Sequence, residues 1–160
     1  AQNKNYNHIV LPECHSPRAM LTWSLTQQFF ILHHYGIISD HFKADIQKAI
    51  NLLNENEALI KSEAHKIAEL LYKRIGIIYA SANFEGVAVR WRQQINENAK
   101  SLCWHHVVPE MNHNELVGWA GGSDNLAVIV LRNKGDFARN QTRMNISAEV
   151  IKRYTPHYYE

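Results

Sequence analysis

The run Asn125-Leu-Ala-Val-Ile-Val-Leu-Arg132 is the clearest β-strand in the sequence. Its central side chains are all apolar, without the alternation of polar and apolar residues that marks a strand exposed on one face. Such a run is typical of a strand buried on both faces of a parallel sheet. The stretch Gly76-Ile-Ile-Tyr-Ala-Ser81 has the same character, and Leu102 to Val108 is a further candidate. We therefore predict a parallel sheet in the second half of the chain.

Helical segments alternate with these strands. One runs from Phe84 to about residue 100, and another runs from Asp136 to about residue 153. This alternation predicts an α/β fold, a three-layer αβα domain in which helices flank a parallel sheet. Ligands of such sheets bind at the carboxyl ends of the strands. The polar segments that we expect at that edge are Ser81, Asn83, residues 109–115 and residues 121–124.

Further helices are predicted in the first half of the chain. The first begins at Ser16-Pro17, a favourable N-cap followed by proline, and ends at Gly36. Two more span about residues 41–54 and 57–74, where apolar residues recur at helical spacing. Upstream of them, the apolar run His8-Ile-Val-Leu-Pro12 is a candidate for a buried strand.

The composition is that of an ordinary globular chain. Of 160 residues, 46% are hydrophobic and 20% are charged, and the net charge of +2 does not indicate a nucleic-acid partner. No apolar run approaches the roughly 18 residues that span a membrane, and the first residues lack the hydrophobic stretch of a signal peptide. Cys14 and Cys103 are not spaced as a CxxC motif. We therefore expect free thiols in a reducing compartment, and a cytoplasmic protein.

Neither a metal site nor a phosphate loop is predicted. The adjacent pairs His33-His34 and His105-His106 point to different faces of a helix or strand, and no HExxH motif is present. Gly121-Gly-Ser-Asp124 precedes a strand rather than a helix, which favours a turn over a phosphate-binding nest.

A candidate site lies in residues 96–119. Its possible proton-transfer groups are Glu97, Glu110, His113 and Glu115. A chain reversal between two helices would bring Glu97 to His113, and a carboxylate that faces an imidazole can do general acid–base work. Two structural interpretations compete. Glu97 could be a solvated carboxylate at a helix end, and Asn112 with Glu115 could form a capping box that has Asn in place of Ser or Thr.

Three segments together resemble the bifunctional phosphoglucose/phosphomannose isomerases of bacteria and archaea, which are sugar isomerase (SIS) domain proteins. They are Ser16-Pro-Arg-Ala-Met-Leu-Thr-Trp-Ser24, Ile95-Asn-Glu-Asn-Ala-Lys100 and Val108-Pro-Glu-Met-Asn-His-Asn-Glu-Leu-Val-Gly-Trp119. The order of elements after residue 76 also resembles the second SIS domain of that family. The resemblance spans most of the chain and is least distinctive over residues 37–75.

The resemblance implies an aldose–ketose isomerase that interconverts glucose 6-phosphate and mannose 6-phosphate with fructose 6-phosphate. By motif, Glu97 matches the base that moves a proton between C1 and C2, and His113 matches the residue that opens the sugar ring. Arg18 matches the arginine that stabilises the enediolate. A fixed guanidinium stabilises the negative charge on the enediolate oxygen. The resemblance implies no metal and no organic cofactor.

The resemblance also implies how the site is completed. Family members are homodimers in which the ring-opening histidine crosses the interface. We expect residues 1–36 to be the end of a preceding SIS domain with a connecting helix, and residues 37–160 to be the second SIS domain. The family's Ser/Thr-rich phosphate loop would precede residue 1, and a lysine near its C-terminus would follow residue 160. Lys152 and Arg153 do not match that lysine motif. We therefore expect an internal fragment that carries the second half of the site.

Two other functions are compatible with the residues. A non-catalytic SIS module that binds sugar phosphates would bind without proton exchange, and a structural dimerisation domain would do neither. The joint presence of Glu97, His113 and Arg18 favours the enzyme, because a binding module does not need all three.

Overall fold

The computed structural model describes residues 2–4, 6–13, 16–122 and 124–160. They form two compact units, Ala1–Ile60 and Lys61–Glu160. This division by compactness does not test the SIS-domain boundary that we expect after residue 36, which stays a prediction.

The first unit contains α1 (Leu21–His34), α2 (Phe42–Glu55) and the start of α3 (Glu57–Leu71). The predicted start of the first helix, with Pro17 as its first residue, is wrong by four residues: Pro17–Ala19 is a separate 3-10 turn, and α1 begins only at Leu21. The predicted end is confirmed. Gly36 has φ +70°, and the N–H groups of Gly36 and Ile37 donate to carbonyls in the last turn of α1.

The strand predicted at His8–Pro12 is wrong. These residues form no strand, because no described segment supplies the backbone partner that a strand needs. Among the described residues of this unit, Phe42 is the buried one; its ring stacks on Phe29 at 5.7 Å and meets Phe30 edge-on at 5.1 Å.

The second unit is the predicted α/β domain. Its elements after α3 are β1 (Ile75–Ser81), α4 (Glu85–Gln94), β2 (Cys103–Val108), α5 (Glu110–His113), α6 (Glu115–Gly118), β3 (Leu126–Leu131), α7 (Ala138–Ile151) and β4 (Tyr158–Tyr159). The strands form one parallel sheet in the order β2-β1-β3-β4. The predicted strands and the fold class are confirmed, and β4 is an additional short edge strand.

The two faces of the sheet bury two separate apolar cores, because alternate residues of a strand point to opposite faces. On the first face, Ile77 and Tyr79 pack with residues of α5, α7 and the turn after α6. On the second face, Ile78 and Ala80 pack with Ala88 of α4 and with Cys103. Helices therefore cover both faces, as predicted.

Cys103 is a free thiol, 6% exposed, whereas Cys14 lies outside the described residues. Burial raises the pKa of the Cys103 thiol from its ordinary value of 9.0 to about 11. Between these two values the folded chain holds a proton that the unfolded chain has lost. This group's contribution to stability therefore falls as the pH rises from about 9 to about 11.

Cys103 is expected to react slowly with iodoacetamide in the folded protein at about pH 8, because only an accessible thiolate is nucleophilic. The same residue should react quickly after unfolding in urea. Mass spectrometry of a Cys14→Ser variant isolates the signal. Equal rates in the folded and unfolded protein would contradict the burial of this thiol.

No helix among the described residues is both long and apolar enough to cross a membrane.

Candidate functional site

The predicted chain reversal between two helices is wrong, because the segment between Glu97 and His113 contains β2 of the sheet. The helix that precedes β2 changes its character before it ends. After Gln94, α4 continues as a π-helix over Ile95–Ala99, which closes at Lys100 in the left-handed region. Single π-helical turns are rare and occur frequently at functional sites.

Glu97 lies in the middle of this π-helical turn, and its side chain is exposed. Ile95 and Ala99, on either side of it, line a groove of about 450 Å³ between α3 and α4. The helical spacing turns Glu97 away from that groove and toward solvent. Its backbone carbonyl accepts a hydrogen bond from Lys100 Nζ at 2.6 Å, which secures the end of the helix.

His113 lies on the first face of the sheet, at the end of α5. Met111 is buried in the core at 1% exposure, and Asn112 Nδ2 donates to Ser147 Oγ of α7 at 2.6 Å. The side chain of His113 is exposed. The capping-box interpretation is wrong, because Asn112 lies within α5 and the N-cap of α6 is Asn114, which makes no side-chain cap.

Glu97 and His113 lie in different layers of the domain. Ile95, just before Glu97, packs on the second face with α4, whereas Met111, just before His113, packs on the first face. Glu97 also precedes the amino end of β2, and His113 follows its carboxyl end. The sheet therefore separates the two side chains within one chain.

Arg18 belongs to the first unit. It lies in the 3-10 turn Pro17–Ala19, with an exposed side chain. Its role at the site stays a prediction.

The polar rim predicted at the carboxyl ends of the strands is partly correct. Ser81 ends β1, and its buried Oγ accepts a hydrogen bond from Asn140 Nδ2 of α7 at 3.0 Å. Residues 109–115 follow β2. Residues 121–124 are misplaced, because β3 begins at Leu126 and the described members of this segment lie before its amino end.

A hydrogen-bonded network beside His113 was not predicted. Glu115 Oε1 accepts from the Tyr79 hydroxyl at 2.5 Å and from Trp104 Nε1 at 3.2 Å. The Tyr79 hydroxyl accepts in turn from Trp119 Nε1 at 3.0 Å. Burial, together with the hydrogen bond to Glu115, raises the pKa of Tyr79 well above its ordinary value, so this hydroxyl stays a donor. The available signal was Tyr79 itself, since a tyrosine within a buried aliphatic strand needs a polar partner.

The described residues contain no group of three or more His, Cys, Asp or Glu side chains placed to hold a metal ion. His105 Nε2, on the second face, lies 3.6 Å from Glu85 Oε1. This is a two-residue contact between β2 and the start of α4.

The family described as the bacterial phospho-glucose isomerase C-terminal SIS domain matches residues 60–160. The chain belongs to this family. The match begins near the start of α3 and covers the sheet, Glu97 and His113, which places both candidate residues within the SIS domain.

Relatives of the SIS domain include proteins of two named activities. The chain is 28% identical over 144 residues to the bifunctional phosphoglucose/phosphomannose isomerase of Aquifex aeolicus, covering 89% of this chain and 43% of the relative. It is 27% identical over 159 residues to the D-glucosamine-6-phosphate 4-epimerase of Sulfolobus acidocaldarius, covering 98% of this chain and 49% of the relative. The chain thus spans less than half the length of these two proteins.

A solved structure supports the SIS fold independently of sequence. A Clostridium difficile 630 protein, described as a candidate phosphosugar isomerase, superposes with a TM-score of 0.62 at 17% identity. The match covers 92% of this chain and 43% of that one. At this identity the similarity concerns the fold alone.

Proposed function

We propose that this chain carries the second SIS domain of an aldose–ketose isomerase that interconverts glucose 6-phosphate and mannose 6-phosphate with fructose 6-phosphate. In the proposed reaction, Glu97 moves a proton between C1 and C2 through an enediol, and His113 opens the sugar ring. Arg18 stabilises the enediolate. The observation that carries the proposal is the exposed Glu97 carboxylate on a π-helical turn, within a domain that matches this family.

The proposed chemistry needs a carboxylate that can both accept and return a proton on one face of the substrate. Removal of a proton next to a carbonyl places negative charge on oxygen, and a cationic side chain such as Arg18 lowers the energy of that charge. A positioned general base contributes about 10²- to 10⁴-fold to such a step. Glu97 suits this role, because an exposed carboxylate can reach a substrate bound outside its own helix.

We further propose that the active site is shared between two copies of the protein. Glu97 and His113 are both exposed, but the segments that carry them pack on opposite faces of one sheet and lie beyond opposite ends of β2. A small sugar phosphate at one is therefore not expected to touch the other in the same chain. A symmetric dimer would bring His113 of each copy to Glu97 of the other. This arrangement accounts for the exposure of both side chains.

The test is NMR of fructose 6-phosphate in deuterated buffer, with the protein of the complete reading frame beside the 160-residue chain. We expect the complete protein to form both aldose 6-phosphates and to incorporate deuterium at C2 of these products. Binding without exchange would replace the isomerase by a sugar-phosphate-binding module.

The relative named as a 4-epimerase favours one further candidate, an epimerase. A changed configuration at C4 of D-glucosamine 6-phosphate, without deuterium exchange at C1 of fructose 6-phosphate, would support it.

A further inference from the structure

Residues on both sides of His113 are fixed to the domain, while His113 itself is exposed. Before it, Met111 is 1% exposed, and Asn112 Nδ2 donates to Ser147 Oγ, which donates to the Arg143 carbonyl at 2.8 Å. After it, Glu115 hydrogen-bonds to the sheet. Among the described residues of α5 and α6, it is the ionisable side chain for which such a bond is seen. The position of the imidazole therefore depends on what holds these two short helices.

Glu115 connects this segment to two strands through a single oxygen. Its Oε1 accepts from Tyr79 of β1 and from Trp104 of β2, at 2.5 Å and 3.2 Å. Hydrogen bonds to an ionised acceptor are about twice as strong as neutral ones. Tyr79 is 2% exposed and is itself held by Trp119 Nε1, so the donor has little freedom to move.

The surroundings explain why a carboxylate is suited to this position. Ile77 and Leu126 line a cavity of about 210 Å³ beside Glu115, and they offer no polar atom of a side chain. The two donors would lose their common acceptor if the carboxylate were absent. The buried Tyr79 hydroxyl without an acceptor is costly, so α6 would shift or loosen to supply one, whereas the exposed Trp104 indole can donate to water.

We propose that Glu115 is the positioning residue of His113: its carboxylate, bound by Tyr79 and Trp104, fixes the α5–α6 segment so that the imidazole meets the substrate in a reactive orientation. The inference rests on the proposed function of His113 in ring opening. Glu115 itself touches no reacting atom in this scheme. It acts only through the placement of His113.

The activity test is a double-mutant cycle in the complete protein. Glu115→Ala is expected to lower kcat for fructose 6-phosphate about 10²-fold, the factor that a displacement of roughly 1 Å can cost. Glu115→Gln keeps an acceptor oxygen for both donors and should lose less than about tenfold. In a His113→Ala background, Glu115→Ala should have no further effect, because the residue through which it acts is gone. An equal, independent loss in that background would overturn the proposal.

A second measurement does not depend on catalysis. Hydrogen exchange of the backbone amides of residues 110–118 should become roughly tenfold faster in Glu115→Ala, while those of β3 stay unchanged. Glu149→Ala, an exposed carboxylate on α7 in the same layer, is the matched control and should change neither readout. Unchanged exchange in Glu115→Ala would overturn the positioning role. A wild-type protein that never exchanges substrate protons would instead refute the proposed function, while the amide measurement still decides whether Glu115 holds the segment.

Discussion

Glu97→Gln is expected to abolish isomerisation in the complete protein while leaving the fold intact. Glutamine has the shape of glutamate but cannot accept and return a proton at neutral pH, so the base would be lost without a change in packing. The expected loss of kcat is about 10²- to 10⁴-fold. KM should change little, because the carboxylate acts mainly in the transition state.

The exposure of Glu97 makes this substitution a clean test. The side chain is exposed, and the contact recorded for this residue uses its backbone carbonyl, with Lys100. Thermal unfolding should therefore match the wild type. Glu69→Gln, an exposed carboxylate of α3 in the same domain, changes the charge equally and should keep full activity. A general base contributes about 10²-fold or more to the rate. Turnover of the Glu97→Gln variant within about tenfold of wild type would therefore show that Glu97 is not the base, and would favour the interpretation of a solvated carboxylate.

The sheet could be predicted from sequence because its strands are buried on both faces. Leu126–Leu131 and Ile75–Ser81 contain continuous apolar runs, and no other common element of this length needs such a pattern. The two-residue β4 is too short to give a pattern. It forms because Val128 and Ile129 offer a free edge to Tyr158 and Tyr159.

The site was harder to predict, because it depends on how the chain returns between parallel strands. Consecutive parallel strands require a crossover from the carboxyl end of one to the amino end of the next. Helices α5 and α6 and the 3-10 turn Trp119–Gly121 make this return along the first face. The described residues of the 121–124 segment therefore lie before the amino end of β3, at the opposite edge from the predicted rim. The Tyr79–Glu115 hydrogen bond joins residues 36 positions apart, and no local pattern encodes it.

Subunit mixing is expected to restore activity from two weakly active variants if the site is shared. Glu97→Gln and His113→Ala homodimers should each keep only a small residual activity, since every site lacks one of the two groups. In a mixed dimer, one site combines both changes, while the other combines the intact Glu97 of one chain with the intact His113 of its partner. Random pairing makes about half of the dimers mixed, with one of two sites intact, so about one quarter of wild-type activity should return.

The control for this experiment keeps the mixing and removes the complementation. Glu97→Gln subunits are mixed with subunits that carry both Glu97→Gln and His113→Ala, so that no site holds the carboxylate and no activity above the residual level should appear. Activity is followed by formation of aldose 6-phosphate after joint refolding or co-expression. If the two residues act within one chain, the first mixture stays at the residual level too, because each chain then has an incomplete site whatever its partner. Such a result would require Glu97 and His113 to meet across the sheet that separates them, and it would contradict the shared site that the geometry of the two layers supports.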